Sequence, residues 1–336
     1  MTSLLAVAPA AHPGGAEIGL LRLLPRLRHD GWDITITTPG DGPVRESAEA
    51  RGLRWKALPL GGLERGAGAR AVGSFPTARR LARKHDVIYL NGTVAGRLIP
   101  AMPRDRRVAL HVHDMVDHVP SMWRRADVVL ADSQAVADRL DSLRDVHVVG
   151  CPIEAEPHAV RTPWPAGEQP VVGYVGRIEP RKGVLDLVHA AHRIKAAGAR
   201  VVLVGDDPYA TDPEYAGQVR SDAGVEHYGW VKGAAGLMGA LDVLVLPSHQ
   251  EPFGTVLAEA MNAGTPVVAT RVGGLAEVVE DGVTGRLVPP GDPEALAQAV
   301  VEVLDKRDQM GAAGRERARR WHADGYARRV AELLCP

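Results

Sequence analysis

From residue 4 to residue 288, short apolar runs alternate with helical patterns, and that alternation restricts the chain to one class of fold. The runs at residues 4–8, 33–37, 54–58, 87–90, 108–112, 128–131 and 146–149 read as strands. Helical patterns lie between them, for example over residues 17–29 and 77–84. Ser133 is placed to cap a further helix over residues 134–143. Runs that do not alternate in polarity need cover on both faces. The expected fold class is therefore α/β, with parallel, doubly wound sheets.

The pattern breaks over residues 151–169, which hold four prolines and no periodicity. That stretch reads as a linker between domains. Strand-like runs resume at residues 171–175, 201–204, 243–246, 267–269 and 286–288. Asp292 is placed to cap a long amphipathic helix ending near residue 305. Two Rossmann-like domains are expected, residues 1–150 and 170–317, with helical sequence from 318 to 336 behind them. Sheets of this kind bind ligands at the carboxyl ends of their strands, here facing a shared central cleft.

Composition narrows the function. A net charge of −1 gives no electrostatic case for nucleic acid. Two cysteines, Cys151 and Cys335, give no disulfide framework and fit a reducing compartment. No apolar run approaches the roughly 20 residues that span a bilayer. Residues 1–11 lack the basic start of a signal peptide and read as a first buried strand. A cytoplasmic location is expected, and the basic clusters at 79–80, 104–107 and 124–125 read as a solvated face because acids are interspersed with them.

The chemistry centres on residues 247–259, Pro-Ser-His-Gln-Glu-Pro-Phe-Gly-Thr-Val-Leu-Ala-Glu. The spacing puts Glu251 on a loop before a helix N-terminus and Glu259 about one turn inside that helix. A helix N-terminus presents unpaired N–H groups and partial positive charge to a phosphate. Carboxylates beside it would repel that phosphate but suit hydroxyl groups on either side. A nucleotide sugar has that layout: ribose diol, diphosphate, hexose hydroxyls.

A second loop, at the end of the 171–175 strand, carries Arg177 and Lys182. An arginine fork and a lysine point charge are what a diphosphate needs when no metal is bound. Gly14 and Gly15 follow the first strand and open the first helix, where they serve either close ligand approach or a plain glycine turn. His111, His113, Asp114, Asp117 and His118 follow another strand. A hydrogen bond from His113 to a substrate hydroxyl, a metal site and a structural role all remain open there, although the spacing fits no zinc pattern. Asn91 is either cleft-facing or a strand-end turn residue. Trp230 and Val231 offer backbone groups to a base, or Trp230 is core.

Taken in order, the segments Gly-Arg-Ile-x-x-x-Lys-Gly, Pro-Ser-x-x-Glu-Pro-Phe-Gly-x-x-x-x-Glu-Ala-Met, Ala-Gly-Thr-Pro-Val-Val-Ala-Thr, Gly-Gly-x-x-Glu and Asp-Gly-x-x-Gly-x-Leu-Val resemble the retaining GT-B glycosyltransferases of family 4. The likeness is strongest over residues 171–300. In the amino-terminal half it rests on Gly14-Gly15-Ala16 and His113-Asp114. The resemblance implies that Glu259 holds the ribose and that Arg177 and Lys182 neutralise the diphosphate. It implies that Gly15 and the amides after Phe253, from Gly254, Thr255 and Val256, complete the cradle. Glu251 would contact hexose hydroxyls, and His113 would touch the sugar near the reacting carbon. No metal and no separate cofactor are expected. The last helix, about residues 325–334, would cross back onto the first, acceptor-binding domain.

The implied reaction moves a hexose from a nucleotide-diphosphate sugar, UDP before GDP, to a hydroxyl of a small acceptor such as a natural-product aglycone or pseudo-sugar. Its transition state resembles an oxocarbenium ion leaving a diphosphate, stabilised by donors aimed at the leaving oxygen. Front-face attack with retention is expected, because Glu251 would touch hydroxyls away from the reacting carbon and so not act as a nucleophile. A cell-envelope lipid or sugar-phosphate acceptor is the alternative. No basic amphipathic helix argues for a membrane partner. A nucleotide-sugar epimerase, which would need no acceptor, a phosphorylase on the same architecture, a non-catalytic nucleotide-sugar-binding subunit and a metal hydrolase built on residues 111–118 are the readings from other classes. Chelator sensitivity separates the last from the transferase.

Overall fold

The computed structural model describes residues 1–60, 71–208 and 210–335. The chain divides into two compact units, Met1–Ile153 with Trp321–Pro336, and Glu154–Arg320.

The first unit is built on a seven-stranded sheet in the order β3-β2-β1-β4-β5-β6-β7, with every pairing parallel. The strands are β1 Ser3–Val7, β2 Asp33–Thr38, β3 Arg54–Ala57, β4 Val87–Asn91, β5 Arg107–Val112, β6 Val128–Ala131 and β7 Val146–Val148. The central strands are buried along their whole length, which is why their sequences run apolar instead of alternating. One face carries Leu4, Ala6 and Tyr89 against helix Gly15–His29 and helix Ala323–Leu334. The other face packs Leu5, Val7 and Leu90 against helix Phe75–Ala82 and the turn Ala95–Ala101. Close approach decides one small residue there: a Cβ on Gly96 would lie 2.7 Å from the Trp123 ring nitrogen.

The second unit has a six-stranded parallel sheet in the order β10-β9-β8-β11-β12-β13. Its strands are β8 Val171–Val175, β9 Arg200–Val204, β10 Glu226–His227, β11 Val243–Leu246, β12 Val267–Thr270 and β13 Gly285–Val288. Asp292 caps helix Pro293–Asp305 through its carboxylate, 2.9 Å from the Ala295 amide.

Two sequence expectations need correction. Ser133 does cap a helix, accepting from the Val136 amide at 3.2 Å, but the α-helix stops at Ala137 and tightens into a single turn, Asp138–Leu140. Asp138, Asp141 and Ser142 are residues that compete for backbone groups and favour such turns. The two-residue β10 was not expected, being too short and too polar to show a period.

The proline-rich segment is packed, not loose. The Ile153 amide donates to Trp321 O and its carbonyl accepts from Ala323, both at 2.9 Å. Trp164 is buried in the second unit with its ring 6.0 Å from that of Tyr228. From Trp321 the chain belongs to the first unit again, where Tyr326, Ala327, Val330 and Leu334 enter the core beside Leu20, Leu24 and Leu27. An ion pair between Arg26 and Asp324 at 2.5 Å flanks this packing. Leu334→Ala should cost the first unit about 2–5 kcal/mol. Urea unfolding followed by near-ultraviolet circular dichroism would show its transition moving to lower denaturant.

Candidate nucleotide-sugar and sugar-transfer site

Each sheet has one place where the strand order reverses. In the second unit it lies between β8 and β11, since β8 leads outward to β9 on one side and β11 leads to β12 on the other. Crevices of this kind, at the carboxyl ends of the strands, are where open α/β sheets bind ligands. The two loops expected to carry chemistry leave the sheet on either side of this point.

After β8 the backbone is pinned repeatedly. The Gly176 amide donates to Val204 O at 3.0 Å and the Ile178 amide to Asp206 O at 2.9 Å. The buried Tyr174 hydroxyl donates to Arg177 O at 2.5 Å. The Arg177 guanidinium lies 3.2 Å from Glu179, whose other oxygen is 2.6 Å from Arg181. Gly183 then turns the chain into helix Val184–Ala196 with φ 60. A Cβ there would stand 2.0 Å from Pro247 O, so only glycine allows the two loops to meet.

After β11 the chain runs through Ser248 and Glu251 to Gly254, φ 87, which opens helix Thr255–Ala263 with no side-chain cap. Glu251 is buried and is brought onto Lys182, whose ammonium donates to the carboxylate. Ser248 Oγ donates to the same oxygen at 3.2 Å. Phe253 and Gly254 are buried, Thr255 and Val256 half-buried. Glu259 sits in the second turn of the helix, half-buried. The loop is held from behind by two glycines. The Gly274 amide donates to Glu251 O at 3.0 Å, and Cβ atoms on Gly273 and Gly274 would lie 2.2 and 2.1 Å from the carbonyls of Glu251 and Pro252. Trp230 is 60 % exposed, which removes the core reading, and Val231 beside it is half-buried.

In the first unit the reversal lies between β1 and β4. Gly14 precedes helix Gly15–His29, and its amide is donated to Glu17 Oε2 at 2.9 Å. A Cβ on Gly15 would meet nothing within 4 Å, so its outer side is open. Burial raises the Glu17 pKa, opposed in part by that amide and by His113.

The residues between 111 and 118 do not act together. Asp114 accepts from Thr93 at 3.2 Å, Asp117 pairs with Arg139 at 3.2 Å, and His118 is exposed. Asp132, from the end of β6, joins His111 and His113 in their place. His113 Nδ1 is 2.9 Å from Asp132 Oδ2, and His113 Nε2 is 2.9 Å from Asn91 Oδ1. His111 Nε2 lies 2.8 Å from Asp132 Oδ1, and its Nδ1 is 2.5 Å from the Tyr89 hydroxyl. Asn91 is thus a partner of His113 and more than a turn residue. The ligand-type atoms of His111, His113 and Asp132 fall within 4.8 Å of one another, the one such group among the described residues. Sequence reading passed over Asp132, Ser248, Glu179 and Glu17. Of these, only the Glu17 spacing behind Gly14, a helix-entry pattern, carried a local signal.

Comparison with known proteins gives the chain its class. The profile for "Glycosyl transferases group 1" matches residues 169–306, and that for "Glycosyltransferase Family 4" matches residues 13–157. The lipopolysaccharide core biosynthesis glycosyltransferase LpsE of Rhizobium meliloti is 29 % identical over 312 residues, 87 % of this chain and 86 % of that one. The 2-deoxystreptamine N-acetyl-D-glucosaminyltransferase of Streptomyces fradiae is 36 % identical over 240 residues, 68 % of this chain but 55 % of that one. Among solved structures, Anabaena HepE in complex with UDP and glucose superposes with a TM-score of 0.83 at 23 % identity, over 99 % of both chains. The two parallel sheets are the GT-B architecture. The chain belongs to the GT-B glycosyltransferases of group 1, family 4 type.

Burial pushes His111 down to about 4, and the neighbouring His113 adds to that push. The unfolded chain takes this proton near 6.5, so between pH 6.5 and 4 the unfolded state binds more protons and stability falls as pH falls. The loss amounts to roughly 3 kcal/mol over that window. Denaturant unfolding of His111→Gln at both ends of the window should show a flatter dependence than the parent chain.

Proposed function

We propose that this glycosyltransferase moves a hexose from a UDP-sugar to a hydroxyl of a small acceptor, with retention of configuration and without a metal. The observation that carries the reading is the meeting of Lys182 and Glu251 across the β8–β11 reversal, beside the uncapped N-terminus of helix Thr255–Ala263. That arrangement sets cationic groups and helix amides together, with carboxylates at Glu251 and Glu259 on either side. A diphosphate suits the first and the hydroxyls of ribose and hexose suit the second. Arg177 and Lys182 neutralise the leaving diphosphate, assisted by the amides of Gly254, Thr255 and Val256 and by Gly15. Glu259 holds the ribose, and Glu251 the hexose hydroxyls. His113 contacts the transferred sugar near its reacting carbon. The base lies by Trp230 and Val231.

The pairing of Lys182 with a carboxylate has a chemical use in this scheme. A buried ion pair adds little net stability, because desolvating both charges offsets their attraction. Here it keeps an ammonium aimed into the site until a stronger anion takes part of its charge. With no nucleophile needed, the acceptor hydroxyl enters on the face from which the diphosphate departs.

Two relatives point to different acceptors. The Streptomyces enzyme is named for 2-deoxystreptamine, a small pseudo-sugar, and is the more similar by identity. LpsE, named for lipopolysaccharide core, aligns over more of its length and supports an envelope acceptor as the second reading. No helix among the described residues is long and apolar enough to cross a membrane. The soluble acceptor is preferred.

Thermal-shift titration against UDP, GDP, TDP and ADP, with and without EDTA, should show a UDP-selective shift that EDTA leaves unchanged. Lys182→Ala and Glu259→Ala should weaken nucleotide binding, whereas Glu251→Ala and His113→Ala should lose turnover with binding kept. Full turnover in Glu251→Ala would remove that residue from the scheme. Proton NMR of the product should show the donor's anomeric configuration preserved, and an inverted product would refute front-face transfer.

A further inference from the structure

Five side chains, ending at His113, form a polar line through the core of the first unit. Tyr326, on helix Ala323–Leu334, hydrogen-bonds Tyr89 on β4. The Tyr89 hydroxyl is 2.5 Å from His111 Nδ1, His111 Nε2 is 2.8 Å from Asp132, and Asp132 is 2.9 Å from His113 Nδ1. All but His113 are essentially inaccessible, with Asp132 at 4 % and His111 at 2 % exposure. An ionised carboxylate in such a place is costly unless cations and donors surround it.

The line ends in an arrangement that fixes protons. Both nitrogens of His113 face oxygen acceptors, the Asp132 carboxylate on one side and Asn91 Oδ1 on the other. The Asn91 amide nitrogen, also buried, has no partner among the described residues. A neutral ring with a bare Nε2 would draw that amide round to donate to it, so the observed orientation matches a ring protonated at both positions.

We propose that Asp132 is a positioning residue for transfer, holding the His113 ring protonated at Nε2, so that the proton resting on Asn91 Oδ1 turns to a sugar oxygen when the donor binds and the ring serves as a hydrogen-bond donor, not as a base. This rests on the reading that His113 contacts the transferred sugar. Tyr326, Tyr89 and His111 form the strut behind the carboxylate. Tyr89 meets His111 at Nδ1, and His111 Nε2 stands 2.8 Å from Asp132 Oδ1, turned obliquely to it. The strut therefore backs the carboxylate at close range, and His113 is its hydrogen-bonded cation.

The charges around His113 agree with this assignment. Burial alone would push its pKa down. Asp132 from β6, Asp114 from the segment after β5 and Glu17 from helix Gly15–His29 outweigh that, and the net direction is up, with His111 facing the ring from β5. For Asp132, burial is outweighed by His113 and His111, and its carboxyl is held below the usual range.

The test uses the full chain and Asp132→Asn, which keeps the shape and removes the charge. Histidine-selective 15N NMR should show the His113 titration moving to lower pH in the variant. The melting temperature gauges any general loosening. Release of UDP from UDP-glucose, with 2-deoxystreptamine as acceptor, should fall about ten- to a hundredfold in kcat with the UDP Kd unchanged. The double variant Asp132→Asn/His113→Gln should be no slower than His113→Gln alone, because Asp132 acts through the ring. An unmoved His113 titration, kcat at the parental level in Asp132→Asn beside a slow His113→Gln, or additive losses would each overturn the inference. A fully active His113→Gln would instead remove the role of His113 on which it stands. A parent chain that releases no UDP would count against the donor reading, and the NMR arm would still decide the position of the ring.

Discussion

Parallel pairing around the first strand of each sheet is the constraint on which the rest depends. β1 sits between β2 and β4, and β8 between β9 and β11, so in each unit successive connections must leave in opposite directions. A gap opens at the carboxyl ends where they part. The loops that border it are placed to carry the groups that meet a ligand. Arg177, Lys182 and Glu251 stand on the borders of one such gap, Gly15 and Asn91 on the borders of the other.

What keeps these borders in register is contact between main chains. Gly183 lies against Pro247, Gly205 against Gly176, and Gly273 and Gly274 against the Glu251–Phe253 turn, all closer than a β-carbon permits. Side chains that act on a ligand are thereby carried on loops with little freedom, although such loops are often the mobile parts of α/β proteins. The ion pair between Lys182 and Glu251 follows from that closeness. The buried carboxylate is partnered on two sides, by the ammonium and by Ser248.

The alternation of strands and helices was legible because both faces of each sheet are covered, so each central strand reads as an unbroken apolar run. The places of Arg177, Lys182, Glu251 and Glu259 were legible because the elements that hold them are local: a loop, a turn and a helix start within about a dozen residues. The line behind His113 was not. Asp132 reaches His113 only because Val112 pairs with Ala131, and Asn91 comes near because it pairs with His111. Strand register is set by the whole sheet, and no local spacing announces it. The same limit left residues 111–118 open in the sequence, where three histidines and two aspartates close together meet different neighbours in the fold. Trp230 stood open between a core place and a base-facing one, and the fold leaves this usually buried aromatic exposed.

The return of the chain at Trp321 has a consequence for synthesis. The first unit's core includes Tyr326, Val330 and Leu334, while the residues they pack against emerge from the ribosome with Leu20 and Leu24. Between them the ribosome must make the whole of Glu154–Arg320. At about 5–20 residues per second, the nascent amino-terminal sheet waits roughly ten to thirty seconds with one apolar face unfinished. The whole second unit is made before the closing helix, so the part translated first is the last to be closed.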